Sequence, residues 1–270
     1  MPFHGLRVLA LESRRAAEME QLIRKQGGDP FVAPSMREIP LADNDPAFLF
    51  AERLFAGGFD LVVLLTGVGT RHLNRLLATR YPENALAEAL ARVTIAARGP
   101  KPVAALRDMG LKAAIVAPEP NTWRELLAAL DGALAVTPAP RIALQEYGRP
   151  ATELMDALRA RGAEVTPVRV YQWDLPEDVE PLREAVRRLA AGAFDVALFT
   201  TAIQMVHLAR VARELGVEDA ALANLRKCRV CSIGPTTTES LEEYGVHPLM
   251  EPSHPKMGFL VKEAAERVTQ

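Results

Sequence analysis

Apolar and polar positions are grouped along the chain in a way that predicts strands separated by helices. Short, almost uninterrupted apolar runs such as residues 61–65 are typical of strands covered on both faces of a parallel sheet. Between these runs, apolar residues recur at helical spacing, which predicts crossover helices. The chain is therefore expected to be an α/β protein with right-handed crossovers. The predicted strands are residues 6–11, 29–33, 60–65, 93–97, 113–117, 141–145, 163–170, 195–200, 228–233 and 246–250.

The order of these elements occurs twice, which indicates an internal duplication. Glu18 and Gly27 in the first half correspond to Glu153 and Gly162 in the second half at one constant offset. Each of these glycines lies where the end of a helix favours a left-handed residue. The chain length fits about two domains of ~100–200 residues each. Further matched pairs follow in the same order, namely Phe59-Asp60 with Phe194-Asp195, Gly99-Pro100 with Gly234-Pro235, and Gly110 with Gly245.

Three proline-punctuated tracts are candidates for the boundary between two five-stranded, doubly wound domains. One tract lies between the two halves at residues 137–140, and the others, residues 33–46 and 166–176, each follow the second strand of a half. A boundary at the first tract gives two sequential domains. Crossovers at the other two give domains that each combine the front of one half with the back of the other. The pattern by itself leaves both divisions open.

Composition narrows the class of protein. The net charge of −2 provides no broad basic surface, which argues against a nucleic-acid partner. No apolar run approaches the ~20 residues that span a bilayer, and Glu12 and Arg14 interrupt the first apolar run too early for a secretory signal. We expect a cytoplasmic protein that binds neither nucleic acid nor membrane, and a monomer, because no apolar surface helix calls for a partner.

The cysteines and histidines do not predict redox or metal chemistry. Cys228 and Cys231 have C-x-x-C spacing, but they lie on a predicted strand, where side chains three residues apart point to opposite faces. Structural thiols are therefore favoured over a redox pair. The five histidines lack ligand-like spacing, and we expect no metal site.

Two Gly-Pro sequences at strand ends are candidate anion sites. Residues 233–238, around Gly234-Pro235, and residues 98–101, around Gly99-Pro100, each end a strand and begin a helix. Proline presets the first helical turn, and the exposed amides together with the helix dipole favour an anion. The alternative is that Gly-Pro only starts a helix efficiently. Two copies on related halves favour a shared polyanionic ligand.

Other strand ends carry further candidates. The loop at residues 66–71, Thr-Gly-Val-Gly-Thr-Arg, is only a weak dinucleotide motif because His72 replaces the third glycine. It is expected instead to bring backbone amides and Arg71 to a small anion. Arg14, beside the first helix, is either an anion clamp or a solvated cation. Tyr171 lies in a proline-bounded tract; such a tyrosine is usually a packed aromatic, but a crossover position would allow it to donate a proton at the domain cleft.

Together these residues resemble the uroporphyrinogen III synthase family over essentially the full length of the chain. The loop at residues 66–71, the segment at residues 98–101 and Gln145 are similar to one bacterial branch of that family. The matching features are Ile233-Gly234-Pro235-Thr236-Thr237 before a helix, Val170-Tyr171-Gln172 before an acidic, proline-containing stretch, and Phe199-Thr200 at a strand end.

The resemblance implies two flavodoxin-like, doubly wound parallel-sheet domains joined by a two-stranded linker. It therefore selects the interleaved division, with domain 1 formed by residues 1–37 and 173–270 and domain 2 by residues 41–170. The implied crossover linkers are residues 34–42 and 166–176. The implied ligand is a small molecule bound in the cleft, the carboxylate-rich linear tetrapyrrole hydroxymethylbilane.

The implied reaction cyclises this bilane with inversion of ring D, through a spiro intermediate and with loss of water, on the route to haem, sirohaem and cobalamin. No cofactor is implied, because the electron-rich pyrroles drive the ionisation. Tyr171 is the candidate catalytic acid. The candidate substrate-binding residues are Arg14, Thr66, Gly67, Gly69, Arg71, Arg98, Gly99, Lys101, Gln145, Thr200, Gly234, Thr236 and Thr237.

The chain departs from the family pattern at two places. Many members have Thr-Arg-Pro after the first strand, whereas this chain reads Leu-Glu-Ser-Arg-Arg at residues 11–15, which displaces the arginine. After Phe199, the sequence Thr200-Thr201-Ala202 replaces the common Ser-Pro or Thr-Ser pattern but keeps the Thr200 hydroxyl. Two rival interpretations remain: a non-enzymatic two-domain cleft protein that binds a small anionic ligand, and a nucleotide or sugar-phosphate enzyme.

Overall fold

The computed structural model describes residues 3–40, 45–146, 148 and 150–268. Strands and helices alternate along almost the whole of this part of the chain. In chain order the elements are β1 (Arg7–Ala10), α1 (Ala16–Lys25), β2 (Asp29–Val32), β3 (Arg37–Pro40), α2 (Asp45–Phe55), β4 (Leu61–Leu64), α3 (Gly67–Leu77), α4 (Ala85–Leu90), β5 (Thr94–Ala97), α5 (Pro100–Asp108), β6 (Ile115–Val116), α6 (Trp123–Val136), β7 (Arg141–Gln145), α7 (Thr152–Ala160), β8 (Glu164–Val168), β9 (Tyr171–Asp174), α8 (Glu180–Ala190), β10 (Val196–Phe199), α9 (Ala202–Glu214), α10 (Glu218–Leu225), β11 (Arg229–Ser232), α11 (Pro235–Glu242) and α12 (Met257–Arg267).

The chain divides into two compact units. Unit 1 comprises Met1–Arg37 and Asp174–Gln270, and unit 2 comprises Glu38–Trp173. Each unit contains a parallel sheet, which confirms the predicted α/β class. The domain boundaries implied by the resemblance stay predictions, and residues 41–42 of the first implied linker lie outside the described residues.

Unit 1 contains a four-stranded sheet in the order β11-β10-β1-β2. Its strands bury side chains on both faces, as the continuous apolar runs predict. Leu9 and Phe199 face a core formed with α8, α9, α10 and α11, whereas Val8 and Leu198 face a second core formed with α1 and α12. The unit is therefore a sheet covered by helices on both sides.

Unit 2 contains a five-stranded sheet in the order β6-β5-β4-β7-β8. Val62 and Leu64 face one core, formed with α2, α3, α4 and α5, and the alternate residues Leu61 and Val63 face another, formed with α6 and α7. Two further strands, β3 and β9, pair as a two-stranded sheet where the chain passes between the units. The two-stranded linker is thus present.

Glycines end several helices as the sequence predicts. Gly27, Gly110, Gly162 and Gly245 all have positive φ, between 68° and 85°. An L-residue with a side chain rarely adopts this conformation, which explains why glycine follows each helix.

Two strand predictions differ from the structure. Residues 246–250 do not form a strand; only Met250 bridges to Cys231, and Leu249 donates its amide to the Val230 carbonyl at 2.7 Å. Strand β8 ends at Val168, two residues earlier than predicted, because the chain turns away at residues 169–170 and pairs again as β9. Apolar runs predict burial well, but they do not show where one sheet ends and another begins.

The two cysteines lie on opposite faces of the unit 1 sheet, as predicted from strand spacing. Cys231 is buried in the core formed with α1 and α12, and Cys228 packs against the other core. Both are free, and burial raises the pKa of the Cys228 thiol to about 11 and that of Cys231 to about 12. Since the thiolate is the reactive form, these cysteines are inert structural residues at neutral pH.

Candidate active site

Each parallel sheet has one topological switch point, where successive strands are added on one side of the sheet and then on the other. In unit 2, β4 leads to β5 on one side and β7 leads to β8 on the other, and in unit 1 the same holds for β10 and β1. Ligands of doubly wound folds bind outside the carboxyl ends of the strands at such a switch point. We call these places the unit 2 corner, after β4 and β7, and the unit 1 corner, after β10 and β1.

The unit 2 corner brings four predicted site residues together. The Gln145 side-chain oxygen accepts a hydrogen bond from the Thr66 amide at 3.2 Å. The Thr66 hydroxyl oxygen accepts from the Gly69 amide at 3.0 Å, which caps α3, and lies 3.3 Å from the Tyr171 hydroxyl. Gln145 is 1% exposed, so this arrangement is held in a packed environment.

Both glycines of the unit 2 loop make close contacts, with a side chain at Gly69 and with the main chain at Gly67. A Cβ at Gly69 would overlap the amide nitrogen of Gln145 and lie 2.8 Å from the Thr66 hydroxyl. A Cβ at Gly67 would overlap the main-chain carbonyl oxygen of Lys101. The glycines therefore allow α3 to pack closely against Gln145 and against the first turn of α5.

Tyr171 is buried beside the unit 2 corner. It is 2% exposed, and its ring meets the Trp173 ring edge-on at a centroid distance of 5.5 Å. Gly148, with φ of 83°, lies so close that a Cβ there would be 3.1 Å from the Tyr171 ring. The packing fixes the hydroxyl against Thr66.

The second loop of unit 2 begins α5. Gly99 is extended, with φ of 175°, and Pro100 is the first helical residue, as the Gly-Pro pattern predicts. A Cβ on Gly99 would lie 2.7 Å from the Asn121 side-chain amide, whose nitrogen, in its hydrogen-bonded orientation, donates to the carbonyls of Ala117 (3.2 Å) and Arg98 (3.3 Å). Asn121 thus packs against Gly99 and is hydrogen-bonded to the residue before it, which holds the start of α5 in place.

Cationic side chains lie near the carboxyl ends of the unit 2 strands, where α3 and α5 begin; we call this place the edge of unit 2. Arg71 forms a salt bridge with Asp108 on α5 at 2.7 Å, with both side chains substantially exposed. Arg98 is half-buried and Lys101 is exposed. By helix geometry, the first amides of α3 have no acceptor within their own helix. In α5, Pro100 and Pro102 have no N–H, so Lys101 supplies the one amide of the first three residues. These amides add positive potential at the same edge.

The unit 1 corner is organised around a residue that sequence reasoning missed. Glu12 is 8% exposed, and its carboxylate accepts hydrogen bonds from the amides of Arg14 (3.1 Å) and Arg15 (3.2 Å) and from the Thr200 hydroxyl (2.6 Å). Gln204 donates to the Thr200 hydroxyl at 2.9 Å. The side chain of Arg14 is exposed. An acid placed directly between a strand and a helix start is a signal that could have identified Glu12.

The loop before α11 forms a separate part of unit 1. Gly234 donates its amide to the Ser232 hydroxyl at 3.2 Å, and its carbonyl accepts from the Thr237 amide at 2.9 Å. Thr236 is half-buried, Thr237 is 3% exposed, and the Thr238 hydroxyl donates to the Glu251 carboxylate. Several of the amides and hydroxyls that were predicted to bind an anion are therefore already hydrogen-bonded within the loop or to Glu251.

The predicted site residues fall into two groups. Gathered at the edge of unit 2 are Tyr171, Thr66, Gly67, Gly69, Arg71, Arg98, Gly99, Lys101 and Gln145, and in unit 1 lie Arg14, Thr200, Gly234, Thr236 and Thr237. Within the described residues, no three or more His, Cys, Asp or Glu side chains are placed to hold a metal ion. In the same residues, no helix is long and apolar enough to span a membrane.

Comparison with known proteins gives consistent matches along the chain. A family model described as uroporphyrinogen-III synthase HemD matches residues 17–262. The Bacillus subtilis (strain 168) protein YjjA, described as uncharacterized, is 29% identical over 266 residues, which are 97% of this chain and 96% of that protein. A putative uroporphyrinogen-III synthase of Methanothermobacter thermautotrophicus is 30% identical over 235 residues, 86% of this chain and 87% of that protein.

Solved structures give the same result. The crystal structure of a mutant uroporphyrinogen III synthase from Thermus thermophilus has 27% sequence identity and a TM-score of 0.74, and the match covers 98% of this chain and 99% of that one. The wild-type enzyme in another crystal form, also 27% identical, has a TM-score of 0.58 with 98% of each chain covered. Because the family model spans both units and most of the chain, the chain belongs to the uroporphyrinogen-III synthase family.

Proposed function

We propose that the chain is a uroporphyrinogen III synthase, which closes hydroxymethylbilane into uroporphyrinogen III with inversion of ring D and loss of water. The observation that carries this proposal is the family match over residues 17–262, which includes every strand of the unit 2 sheet and three of the four strands of the unit 1 sheet, all except β1. The hydroxyl pair at the unit 2 corner supplies chemistry that fits it, since the reaction begins with the departure of a hydroxyl group.

The proposed reaction balances without a redox partner. The terminal hydroxyl takes up a proton and leaves as water, and the remaining methylene carbon is attacked by the substituted α-carbon of ring D, which forms the spiro intermediate. The bond from ring D to ring C then breaks. The methylene carbon of ring C bonds to the free α-carbon of ring D, which loses its proton. The net change is the loss of one water, so neither oxidant nor reductant is needed.

Tyr171 is the proposed acid for the first step. The Thr66 hydroxyl oxygen already accepts from the Gly69 amide, so its own proton is available for the Tyr171 oxygen 3.3 Å away. In that arrangement the Tyr171 hydroxyl accepts from Thr66 and donates its own proton to the departing hydroxyl. Thr66 and Gly69 then act by holding the tyrosine in the orientation that proton transfer requires.

The edge of unit 2 is the proposed site for the carboxylates of the bilane. The first turn of α3 and the Lys101 amide of α5, whose Pro100 and Pro102 have no N–H, offer main-chain donors, and cationic side chains lie beside them. The proposed set is Thr66, Gly67, Gly69, Arg71, Arg98, Gly99, Lys101 and Gln145. Arg14, Gly234, Thr236 and Thr237 are proposed as weaker contacts in unit 1. Thr200 is not part of the proposed set, because its hydroxyl proton is donated to Glu12.

We further propose that the protein acts as a monomer, in the cytoplasm and without a cofactor. All of the proposed contacts come from one chain, so a second copy adds nothing to the site. The bilane also cyclises by itself to the type I isomer, so an enzyme that directs it to type III must work where the bilane is made.

The experiment that tests the proposal uses freshly prepared hydroxymethylbilane. The purified protein is mixed with the bilane, and the products are oxidised and separated into type I and type III isomers. We expect type III to dominate and to form faster than the spontaneous type I product. Formation of type I alone, at the rate seen without protein, would overturn the proposal in favour of a binding protein.

A further inference from the structure

Glu12 places a carboxylate of the protein itself in the unit 1 corner. One of its oxygens accepts from the amides of Arg14 and Arg15, which directly precede α1, and the other accepts from the Thr200 hydroxyl just after β10. Amides at a helix start and a nearby hydroxyl are the donors that a bound carboxylate would use. The protein has therefore filled this anion position with its own side chain.

The hydroxyl of Thr200 has no proton left for a ligand carboxylate. It donates its proton to Glu12 at 2.6 Å and accepts from Gln204 at 2.9 Å, and Gln204 also donates to the Leu11 carbonyl at 3.0 Å. A hydroxyl has a single proton to donate. A ligand at the unit 1 corner thus meets the negative charge of Glu12, and the nearby amides and the Thr200 hydroxyl already donate to that carboxylate.

The unit 2 corner has a matching acid whose charge is paired. Glu146 follows Arg141 by five residues, as Glu12 follows Arg7; it is buried and accepts from the Ala151 amide before α7 at 3.1 Å, but it also pairs with Arg169 at 3.1 Å. The residue before it is the neutral amide Gln145. Arg98 and Lys101 lie at the same edge. The difference between the corners is one of charge: in unit 1 the carboxylate is held by amides and an alcohol, whereas in unit 2 the matching carboxylate is paired with an arginine.

We propose that Glu12 is a specificity-determining residue that keeps the substrate's carboxylates away from the Glu12–Thr200 pair of the unit 1 corner, so that unit 2 takes most of them. The inference rests on the proposed function, because it concerns how the same polyanionic substrate is held. Two like charges a few ångströms apart repel strongly near a protein surface. A substrate arrangement that puts a carboxylate beside Glu12 is therefore disfavoured.

The test is Glu12→Gln, which removes the charge and keeps the shape. The probe is uroporphyrin III, the oxidised, fluorescent octacarboxylate form of the product, titrated into each protein at low ionic strength. We expect Glu12→Gln to bind it about 3- to 10-fold more tightly, and to form a larger share of the type I isomer from hydroxymethylbilane, because a second arrangement becomes accessible. Glu12→Asp retains the charge and is expected to behave as the wild type does.

A matched control removes the same charge elsewhere in the same unit. Glu20 lies on the exposed face of α1 and pairs with Arg24 at 2.7 Å, so Glu20→Gln changes the net charge equally without touching the corner. We expect its probe affinity to equal that of the wild type. Tighter binding by Glu20→Gln would show that net charge alone is the cause and would overturn the inference.

A second variant keeps the inference testable if Glu12→Gln does not fold. Gln145→Glu adds a negative charge to the unit 2 corner, next to the paired Glu146, and we expect it to weaken probe binding about 10-fold. Unchanged affinity in a folded Glu12→Gln or Gln145→Glu protein would overturn the inference, as would an equal shift in Glu12→Asp. Type III formation by the wild type is measured first, so failure of the proposed function is recognised separately.

Discussion

At the amino ends of their central strands, the two units hold an arginine and an aspartate in the same way. In unit 1, Arg7 on β1 reaches Asp195 before β10, and in unit 2, Arg141 on β7 reaches Asp60 before β4, each pair at 2.8 Å. In both pairs the main-chain amide of the arginine donates to the same carboxylate. At the carboxyl ends the units differ: the strand that carries the arginine leads to Glu12 in unit 1, which is held by amides and the Thr200 hydroxyl, and to Glu146 in unit 2, which is paired with Arg169.

This contrast between the two ends of the strands separates the residues that maintain the fold from the residues proposed to bind the substrate. The arginine–aspartate pairs join two neighbouring strands and stabilise the same sheet order in both units. A substitution in either pair is therefore expected to lower the stability of its unit. The carboxyl ends of the strands carry loops, which tolerate change without loss of the sheet. One framework thus supports an acidic corner in unit 1 and a corner with a paired acid and a tyrosine hydroxyl in unit 2.

The largest expected effect comes from Tyr171→Phe, which removes the hydroxyl that distinguishes the unit 2 corner. We expect the single-turnover rate of type III formation to fall about 100-fold, the lower end of the range for a positioned proton donor. Activity is reduced rather than abolished, because the folded conformation of the bound bilane supplies much of the rate enhancement. Rapid-quench kinetics with separation of the isomers measures this rate.

The control for this experiment is Tyr244→Phe in unit 1. Tyr244 packs against the unit 1 core and lies apart from both corners, so its loss is expected to leave the rate unchanged. An unchanged single-turnover rate in Tyr171→Phe would show that the proton comes from elsewhere.

The next effect contrasts two glycines at helix starts. Gly67→Ala in unit 2 forces a Cβ into the Lys101 carbonyl, whereas a Cβ at Gly234 in unit 1 would meet nothing closer than the Pro255 Cβ at 3.9 Å. Gly234 is also extended, with φ of 163°, so alanine fits there. We expect Gly67→Ala to lower the free energy of unfolding by about 1–3 kcal/mol. Gly234→Ala is expected to stay within about 0.5 kcal/mol of the wild type.

Urea denaturation followed by circular dichroism measures both values. Equal stability of the two variants would contradict the view that only the unit 2 loop depends on a close helix–helix approach. A rate measurement on Gly67→Ala adds information, because displacement of α5 also moves the proposed carboxylate site.

Much of the framework could be predicted because it follows from local rules. The strand at Leu61–Leu64 follows from a continuous apolar run, and the helix ends at Gly27 and Gly162 follow from the backbone freedom of glycine. The proline at the start of α5 and α11 follows from its fixed φ. Each of these features depends on a few neighbouring residues, so the sequence pattern contains the necessary information.

The site could be predicted only in part, because its contacts join residues far apart in the chain. Thr66 and Gln145 were candidates individually, but their hydrogen bond depends on β4 and β7 being neighbours in the sheet. Glu12 was missed because its main partner, Thr200, belongs to a strand from the other half of the sequence. Strands β3 and β9 do not follow from the apolar pattern, because their pairing is set by where the chain crosses; the two-stranded linker was implied only by the family resemblance.

The smallest expected effect tests the part of the comparison in which the units agree. The Arg141 side chain, with its amide, lowers the pKa of Asp60 to about 2, and the Arg7 side chain lowers the pKa of Asp195, against ordinary values near 3.8. Since each folded pKa lies below the unfolded one, each pair stabilises the protein above about pH 4, and that contribution is lost as the pH falls toward 2. Both pairs are partly exposed, so the contributions are modest.

We therefore expect Asp60→Asn and Asp195→Asn to lower the urea midpoint at pH 7 by similar small amounts, and the gap between each variant and the wild type to close between pH 4 and pH 2. The double variant is expected to show the sum of the two effects, because the pairs share no partner. A large loss in one variant and none in the other would mean that the units do not use this interaction equally. The two pairs would then share their geometry but not their contribution to stability, and the sheet order would be the only feature that the two units have in common here.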